Sequence, residues 1–263
     1  LFQQTLLRHP NCTEHIIITN QYLYYQSLYQ EQATTLNAPT SYLLESTGKN
    51  TGPAILLAAL YANPDDILVI TPADHLISPL NAYTKTIEKA CELAQSSNCI
   101  TLIGITPTFA SPDFGYIQTE NNTVQAFKEK PSKDIAETYI KDGNCLWNSG
   151  IFCFKASIVK ELFKTLYPNQ FDLILNAYNN KPNTNIIDFS SINSLSFDKG
   201  ILEKTDQLRV IRNTFEWNDL GSFDALTSTI PTTQTININA NNTSAISTEK
   251  KTIAFHDVDN IYV

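Results

Sequence analysis

An α/β fold with a mixed, mostly parallel sheet flanked by helices is predicted for this 263-residue chain by three observations. Apolar runs of strand length alternate with longer stretches of helical periodicity, the order expected of βαβ units. One run, Ile67-Leu-Val-Ile-Thr71, is apolar almost throughout, as a strand buried on both faces is, and Asp74 follows just after Pro72. In open α/β sheets the carboxyl ends of the strands are where ligands bind, so this segment places an acid at a site. Glycine is also scarce, eight residues in all, and five of them (Gly48, Gly52, Gly115, Gly150, Gly221) fall in short polar motifs. Backbone that turns sharply or approaches a ligand closely needs glycine, so this clustering favours a site over ordinary loops.

The elements follow in order. The chain opens on Leu1-Phe-Gln-Gln-Thr-Leu6, which reads as the inside of a helix, and 15–19 is a β-branched strand. A Tyr-rich helix is expected near 21–33 and a strand at 41–45. Pro53, in a first turn, opens an apolar helix at 54–62. Strand 67–71, a helix near 80–95 and strand 100–105 continue the alternation. After Pro107 the pattern changes to a hairpin, 115–119 with 123–128, around Asn121-Asn122. A polar helix at 134–141, a strand at 146–154, helices at 156–166, 170–178 and 197–204, and a strand at 207–212 complete the first domain, 1–231. Residues 232–263 read as an Asn/Thr-rich linker and the start of a C-terminal β-domain.

Composition excludes several classes. With 42% hydrophobic and 17% charged residues the chain is globular, and no apolar run approaches the roughly 18 residues of a membrane span. A net charge of −8 without a Lys/Arg cluster argues against nucleic acid as a partner. A polyanionic small ligand stays compatible with that charge if a metal ion supplies the positive field. The five cysteines, with no Cys-x-x-Cys, read as reduced thiols of a cytoplasmic protein.

Five segments then carry the chemistry: Gly48-Lys-Asn-Thr-Gly-Pro-Ala54; Thr71-Pro-Ala-Asp-His-Leu-Ile77; Phe127-Lys-Glu-Lys-Pro131 with Leu146-Trp-Asn-Ser-Gly-Ile-Phe152; Ser196-Phe-Asp-Lys-Gly-Ile-Leu-Glu-Lys204; and Glu216-Trp-Asn-Asp-Leu-Gly-Ser-Phe223. Their content and order resemble the sugar-nucleotide pyrophosphorylases, and most closely the bacterial mannose-1-phosphate guanylyltransferases. The resemblance implies a Rossmann-like nucleotidyltransferase fold. It also implies Mg²⁺-dependent transfer from GTP to mannose 1-phosphate, giving GDP-mannose and pyrophosphate for surface-polysaccharide synthesis. The phosphate nucleophile is already ionised, so the task is to position two polyanions and offset their repulsion. Mg²⁺ does this best when held by one or two carboxylates and the phosphates themselves.

By the same resemblance Asp74 and Asp219 bind the Mg²⁺, and with Lys130 they carry the catalysis. Lys130 faces the sugar phosphate, and Glu129 and Asn148 the sugar hydroxyls. Gly115 and Tyr116 line the sugar pocket, where the backbone amide of Tyr116 matters more than its ring. Glu45, Asn50, Thr51, Pro53 and Ala54 recognise the base, with Pro72 and Ala73 beside the nucleotide. Trp147 is a wall, and His75 supports Asp74. Two positions depart from the family pattern: Lys49 stands where Arg is usual, and Gly52 where Ala is usual.

The family's Gly-rich phosphate loop has no equivalent here. With no methionine, a helix-like start and a strand-like end at Ile261-Tyr-Val263, the sequence is expected to be a piece of a longer protein. The sheet is expected to show an open, apolar position where the strand bearing that loop would lie. The 263 residues by themselves are expected to have impaired or no catalysis, and robust GDP-mannose synthesis by them would overturn this. A non-catalytic sugar-nucleotide-binding homologue and a transferase for another sugar phosphate or base are the alternatives. A homo-oligomer is compatible with either.

Overall fold

The computed structural model describes residues 1–120, 123–181, 186–220, 234–241 and 252–259. Two compact units divide them: Leu1–Ala73 with Ile77–Trp217, and Asp74–Leu76 with Asn218–Val263.

The larger unit follows the expected alternation. In order it contains α1 (Phe2–Leu7), β1 (His15–Asn20), α2 (Tyr24–Gln32), β2 (Thr40–Glu45), α3 (Thr51–Tyr61) and β3 (Ile67–Ile70). A short β4 (Leu76–Ser78) leads to α4 (Leu80–Ser97) and β5 (Ile100–Ile105). The expected hairpin is β6 (Tyr116–Glu120) with β7 (Thr123–Lys128), although its turn, Asn121-Asn122, lies outside the described residues. Then come α5 (Lys133–Asp142), β8 (Cys145–Lys155), α6 (Ala156–Leu166), α7 (Pro168–Asn179) and β9 (Ile186–Ile187). The helix expected over 197–204 is split into α8 (Phe197–Gly200) and a 3₁₀ turn at Leu202–Lys204. Strands β10 (Leu208–Arg212) and β11 (Glu216–Asn218) follow. In the smaller unit β12 (Gln234–Ile238) and β13 (Thr252–His256) pair in parallel.

Strands β1, β2 and β9 form a parallel three-stranded sheet. A six-stranded sheet has the order β3-β8-β5-β10-β7-β6. In it β3, β5 and β10 share one direction, and β8 runs antiparallel between β3 and β5. Strand β5 is buried at every position, which explains its largely apolar sequence. The apolar face of α3 packs on α6 and α7, and Leu56, Leu57 and Ala59 are fully buried there.

The two sheets leave an open position. Among the described residues strand β1 is paired through β2 alone and β3 through β8 alone. Ile16, Ile17 and Ile18 of β1 and the whole of β3 line one cavity of about 1300 Å³. Ala54 and Ala58 of α3 and Tyr83 and Ile87 of α4 also border it. Among the described residues the edges of β1 and β3 that border this cavity have no strand partner there.

Candidate active site

The segment expected to meet the base begins at the carboxyl end of β2. Glu45 is its last residue, opposite Ile187 of β9 and Asn20 of β1, and is 7% exposed. Its Oε1 is buried with no hydrogen-bond partner among the described residues, and burial pushes the carboxyl up to about 7. An orphaned buried carboxylate oxygen is costly, so such a group is expected to have a function. The polar loop that follows ends at Asn50, which caps α3 with a positive φ of 72°. Its Oδ1 accepts from the Thr51 amide at 2.8 Å. Pro53 is buried, while Asn50 and Thr51 are exposed.

A second segment clasps this loop. The Gly52 amide donates to the Leu195 carbonyl (2.8 Å), and the Leu195 amide donates to the Lys49 carbonyl (3.1 Å). The Phe197 amide donates to Thr51 Oγ1 (2.9 Å). A Cβ on residue 52 would stand 2.7 Å from the Leu195 carbonyl oxygen, which gives the Gly-for-Ala departure a physical reason. Gly52→Ala is expected to lower stability by about 1–3 kcal/mol through overpacking against backbone, read as a lower denaturation midpoint.

The residues expected to face the sugar are built on a bulge in β8. Between Leu102 and Gly104 the register shifts so that β8 runs two residues longer than β5. Ser149 closes the bulge, its Oγ donating to the Ile103 carbonyl (2.7 Å) and accepting from the Ile151 amide (3.2 Å). Gly150 takes φ 72°, a conformation that L side chains rarely adopt. Bulges re-aim side chains, and here Asn148 sits at the start of one. The Asn148 amide donates to the Gly115 carbonyl at 2.8 Å. A Cβ on Gly115 would meet Glu129 Oε2 at 2.7 Å and Asn148 Cβ at 3.2 Å. Gly115, Glu129 and Asn148 are therefore brought together, as the motifs suggested.

Lys130 follows directly, with φ 46° although Pro131 comes next. Residues before proline favour extended backbone, so this conformation is held by its surroundings, and such strain concentrates at functional positions. Glu129 is pushed up to about 7 by burial first, with Asp198 and Glu203 adding and Lys130 and Lys199 opposing. Its amide donates to Glu203 Oε1 (2.8 Å).

The structure restricts what Tyr116 can offer. Its ring is fully buried, with the hydroxyl donating to the Ser111 carbonyl and accepting from the Ser111 amide, both at 3.0 Å. Only its backbone is left to meet a ligand. Trp147 is 4% exposed and packs against Phe109 and Phe114, the wall expected of it.

The two acids proposed for the metal belong to the smaller unit together. Asp74 lies in a bend two residues before β4, and Asp219 directly follows β11. Strands β4 and β11 pair, and Ser78 Oγ donates to Glu216 Oε2 at 3.3 Å. The end of β4 thus meets the start of β11, which leaves Asp74 and Asp219 flanking the other end of the ribbon. The Asp74 side chain is 75% exposed, and the buried His75 approaches it at 3.9 Å. No group of three or more His, Cys, Asp or Glu side chains forms a ready metal cage among the described residues. Two carboxylates suit Mg²⁺, which keeps waters and takes substrate phosphates as its remaining ligands. Gly221, which follows Asp219 in its motif, lies outside the described residues.

Thr51, Ala54, Pro72 and Ala73 line the cavity between β1 and β3, and Gly150 and Asp198 line it too. Asp198 is the site residue that the sequence motifs left without a role. Its Oδ1 accepts from Asn148 Nδ2 at 2.8 Å, and Ser196 Oγ donates to Oδ2 at 3.4 Å. The available signal was Ser196 at a helix start with an acid two residues on.

The nucleotidyl transferase family profile matches residues 1–235. The chain is 32% identical over 257 residues to mannose-1-phosphate guanylyltransferase 2 of Escherichia coli O157:H7, covering 86% of this chain and 52% of that protein. It is 36% identical over 201 residues to mannose-1-phosphate guanylyltransferase RfbM of Salmonella typhimurium, covering 70% and 42%. The chain thus spans about half the length of the curated relatives it matches. Among solved structures it is similar to one described as a mannose-6-phosphate isomerase from Helicobacter pylori. That match has a TM-score of 0.77 and 29% identity, covering 82% of this chain and 89% of that one. A Thermus thermophilus structure described as a mannose-1-phosphate geranyltransferase superimposes with a TM-score of 0.78 at 23% identity, covering 99% and 81%. That second likeness speaks for the fold alone. With the family profile covering most of the chain and the α/β architecture in place, the chain belongs to the nucleotidyl transferase family.

Proposed function

We propose that the protein transfers a guanylyl group from GTP to mannose 1-phosphate, releasing pyrophosphate and making GDP-mannose for surface-polysaccharide synthesis. The observation that carries this reading is the convergence of Gly115, Glu129 and Asn148, with the strained Lys130 at its rim. A carboxyl and a carboxamide together accept and donate to sugar hydroxyls, and a lysine ammonium pairs with the sugar phosphate. At the other end the orphaned Glu45 Oε1 is an acceptor awaiting donors. The guanine edge carries adjacent N–H donors that such a carboxyl accepts. Thr51 and Ala54, with Pro72 and Ala73, line the space beside it.

Asp74 and Asp219 are the residues that would hold Mg²⁺, which neutralises the triphosphate and the attacking phosphate when bound. The protein's own part is positional: it holds the sugar phosphate by Lys130 and the sugar ring by Glu129 and Asn148, in line with the nucleotide. The names of the E. coli and Salmonella relatives support the substrate pair. We place the protein in the cytoplasm, where its nucleotide substrate is made. The five free cysteines agree with this, and no helix among the described residues is long and apolar enough to cross a membrane.

The test is pyrophosphate release by the intact protein with GTP, ATP, UTP and CTP, each against mannose, glucose and N-acetylglucosamine 1-phosphates. Turnover should be fastest with GTP and mannose 1-phosphate. A faster alternative pair would replace the substrate assignment. Tight binding without turnover would replace the enzyme by a sugar-nucleotide-binding protein.

A further inference from the structure

Asp198 is the largest unexplained feature of the site. It opens α8 after the cap Ser196, in the segment whose Leu195 and Phe197 clasp the base loop. It is half-buried at the edge of the cavity, and burial raises its carboxyl above the usual range. The Asn148 carboxamide is fixed at both ends: Nδ2 donates to Asp198 Oδ1 (2.8 Å), and Oδ1 accepts from the Gly150 amide (3.2 Å). A backbone N–H can only donate, so Gly150 holds the oxygen end of the carboxamide. An ionised carboxylate can accept but not donate, so it selects the nitrogen end. One N–H and one lone pair of Asn148 then remain, in defined directions.

We propose that Asp198 is a positioning residue of the sugar pocket, fixing the orientation of the Asn148 carboxamide so that its remaining donor and acceptor match the sugar hydroxyls. The inference rests on the proposed reading of Asn148 as a sugar contact. It adds a specificity determinant that acts through Asn148 rather than on the phosphates. It also gives the Ser196-Phe-Asp segment a purpose: one short turn holds the base loop through residues 195 and 197 and the sugar side through residue 198. The contact spans 50 residues of sequence.

The test is steady-state kinetics of the intact protein carrying Asp198→Ala, Asp198→Asn, Asn148→Ala or the double replacement D198A/N148A. Asp198→Ala should raise the KM for mannose 1-phosphate by at least about tenfold, the scale of a lost charge-assisted hydrogen bond, and move the KM for GTP less than about twofold. Asp198→Asn keeps an acceptor but loses the charge and can also present a donor, so it should show the same selective rise in the sugar KM, smaller than that of Asp198→Ala. On the Asn148→Ala background the Asp198 replacement should add less than about twofold, since a positioning residue has nothing left to position. If Asp198→Ala proves insoluble, Asp198→Glu, which displaces the carboxylate by one methylene, should show the same selective rise. An unchanged sugar KM would overturn the proposal, as would sugar and nucleotide KM rising together or a full additional loss on the Asn148→Ala background. A wild-type protein that turns over GTP but shows no response to Asn148→Ala would remove the sugar-contact reading, and the Asp198 proposal with it.

Discussion

Asp74→Asn and Asp219→Asn are each expected to lower kcat on the order of a thousandfold in the intact protein. A metal-held charge contributes several kcal/mol to a phosphoryl-type transition state, and each 1.36 kcal/mol is tenfold in rate. Neither acid belongs to a group of three or more His, Cys, Asp or Glu side chains among the described residues. The two replacements should also raise the Mg²⁺ concentration needed for half-maximal activity, and their effects should be far from additive if, as proposed, both acids act on one ion. Asp74→Asn should leave folding unaffected, since the Asp74 side chain is 75% exposed. A Mg²⁺ titration of wild type and both variants, with a thermal melt of each, checks this. Full activity in either variant would remove that acid from the metal site.

The second large effect is a pH dependence of stability set by Glu45. Its carboxyl is raised from 4.5 to about 7 by burial alone. A raised folded-state value means that the native protein binds the proton more tightly than the unfolded chain does. Stability from this group is therefore fully present below about pH 4.5 and is lost as the pH rises through 7. The shift corresponds to on the order of 3 kcal/mol, at 1.36 kcal/mol per pH unit. Glu45→Gln removes the titration. It should match wild type near pH 4 and exceed it above pH 7, as read from denaturant midpoints across that range. If Glu45 also meets the base, the same variant should raise the KM for GTP, and saturating GTP should stabilise wild type more than the variant. A pH-independent difference between the two proteins would show that Glu45 is not titrating as a buried group.

Both predictions concern residues that the motifs had already singled out, and the geometry changes what is asked of them. Glu45 was legible as a base-loop neighbour because it precedes Gly48-Lys-Asn-Thr. Its orphaned oxygen was not legible, because burial depends on β1 and β9 closing around the end of β2. Tyr116 stood beside Gly115 in sequence and looked equivalent to it. Strand alternation sends its side chain into the core, where it holds residue 111. Gly52 looked like a mild departure in a loop, and only the approach of Leu195, distant in sequence, shows why a side chain has no room there.

The alternating α/β plan and the place of its motifs were readable from the residues in order. Apolar periodicity and proline and glycine punctuation are local signals, and they located α3, β3, β5 and the β6–β7 hairpin. Strands β4, β9 and β11 escaped because two or three residues carry no period; they exist only through the partners that pair with them. Long-range packing settled that β8 runs antiparallel between β3 and β5, that β1 and β3 face an open position, and that Asp198 grips Asn148. The physical reason is the range of the interactions. Propensity and pattern act within a turn or a strand, whereas pairing, burial and the aim of a carboxamide are set by groups that the chain brings together from far apart.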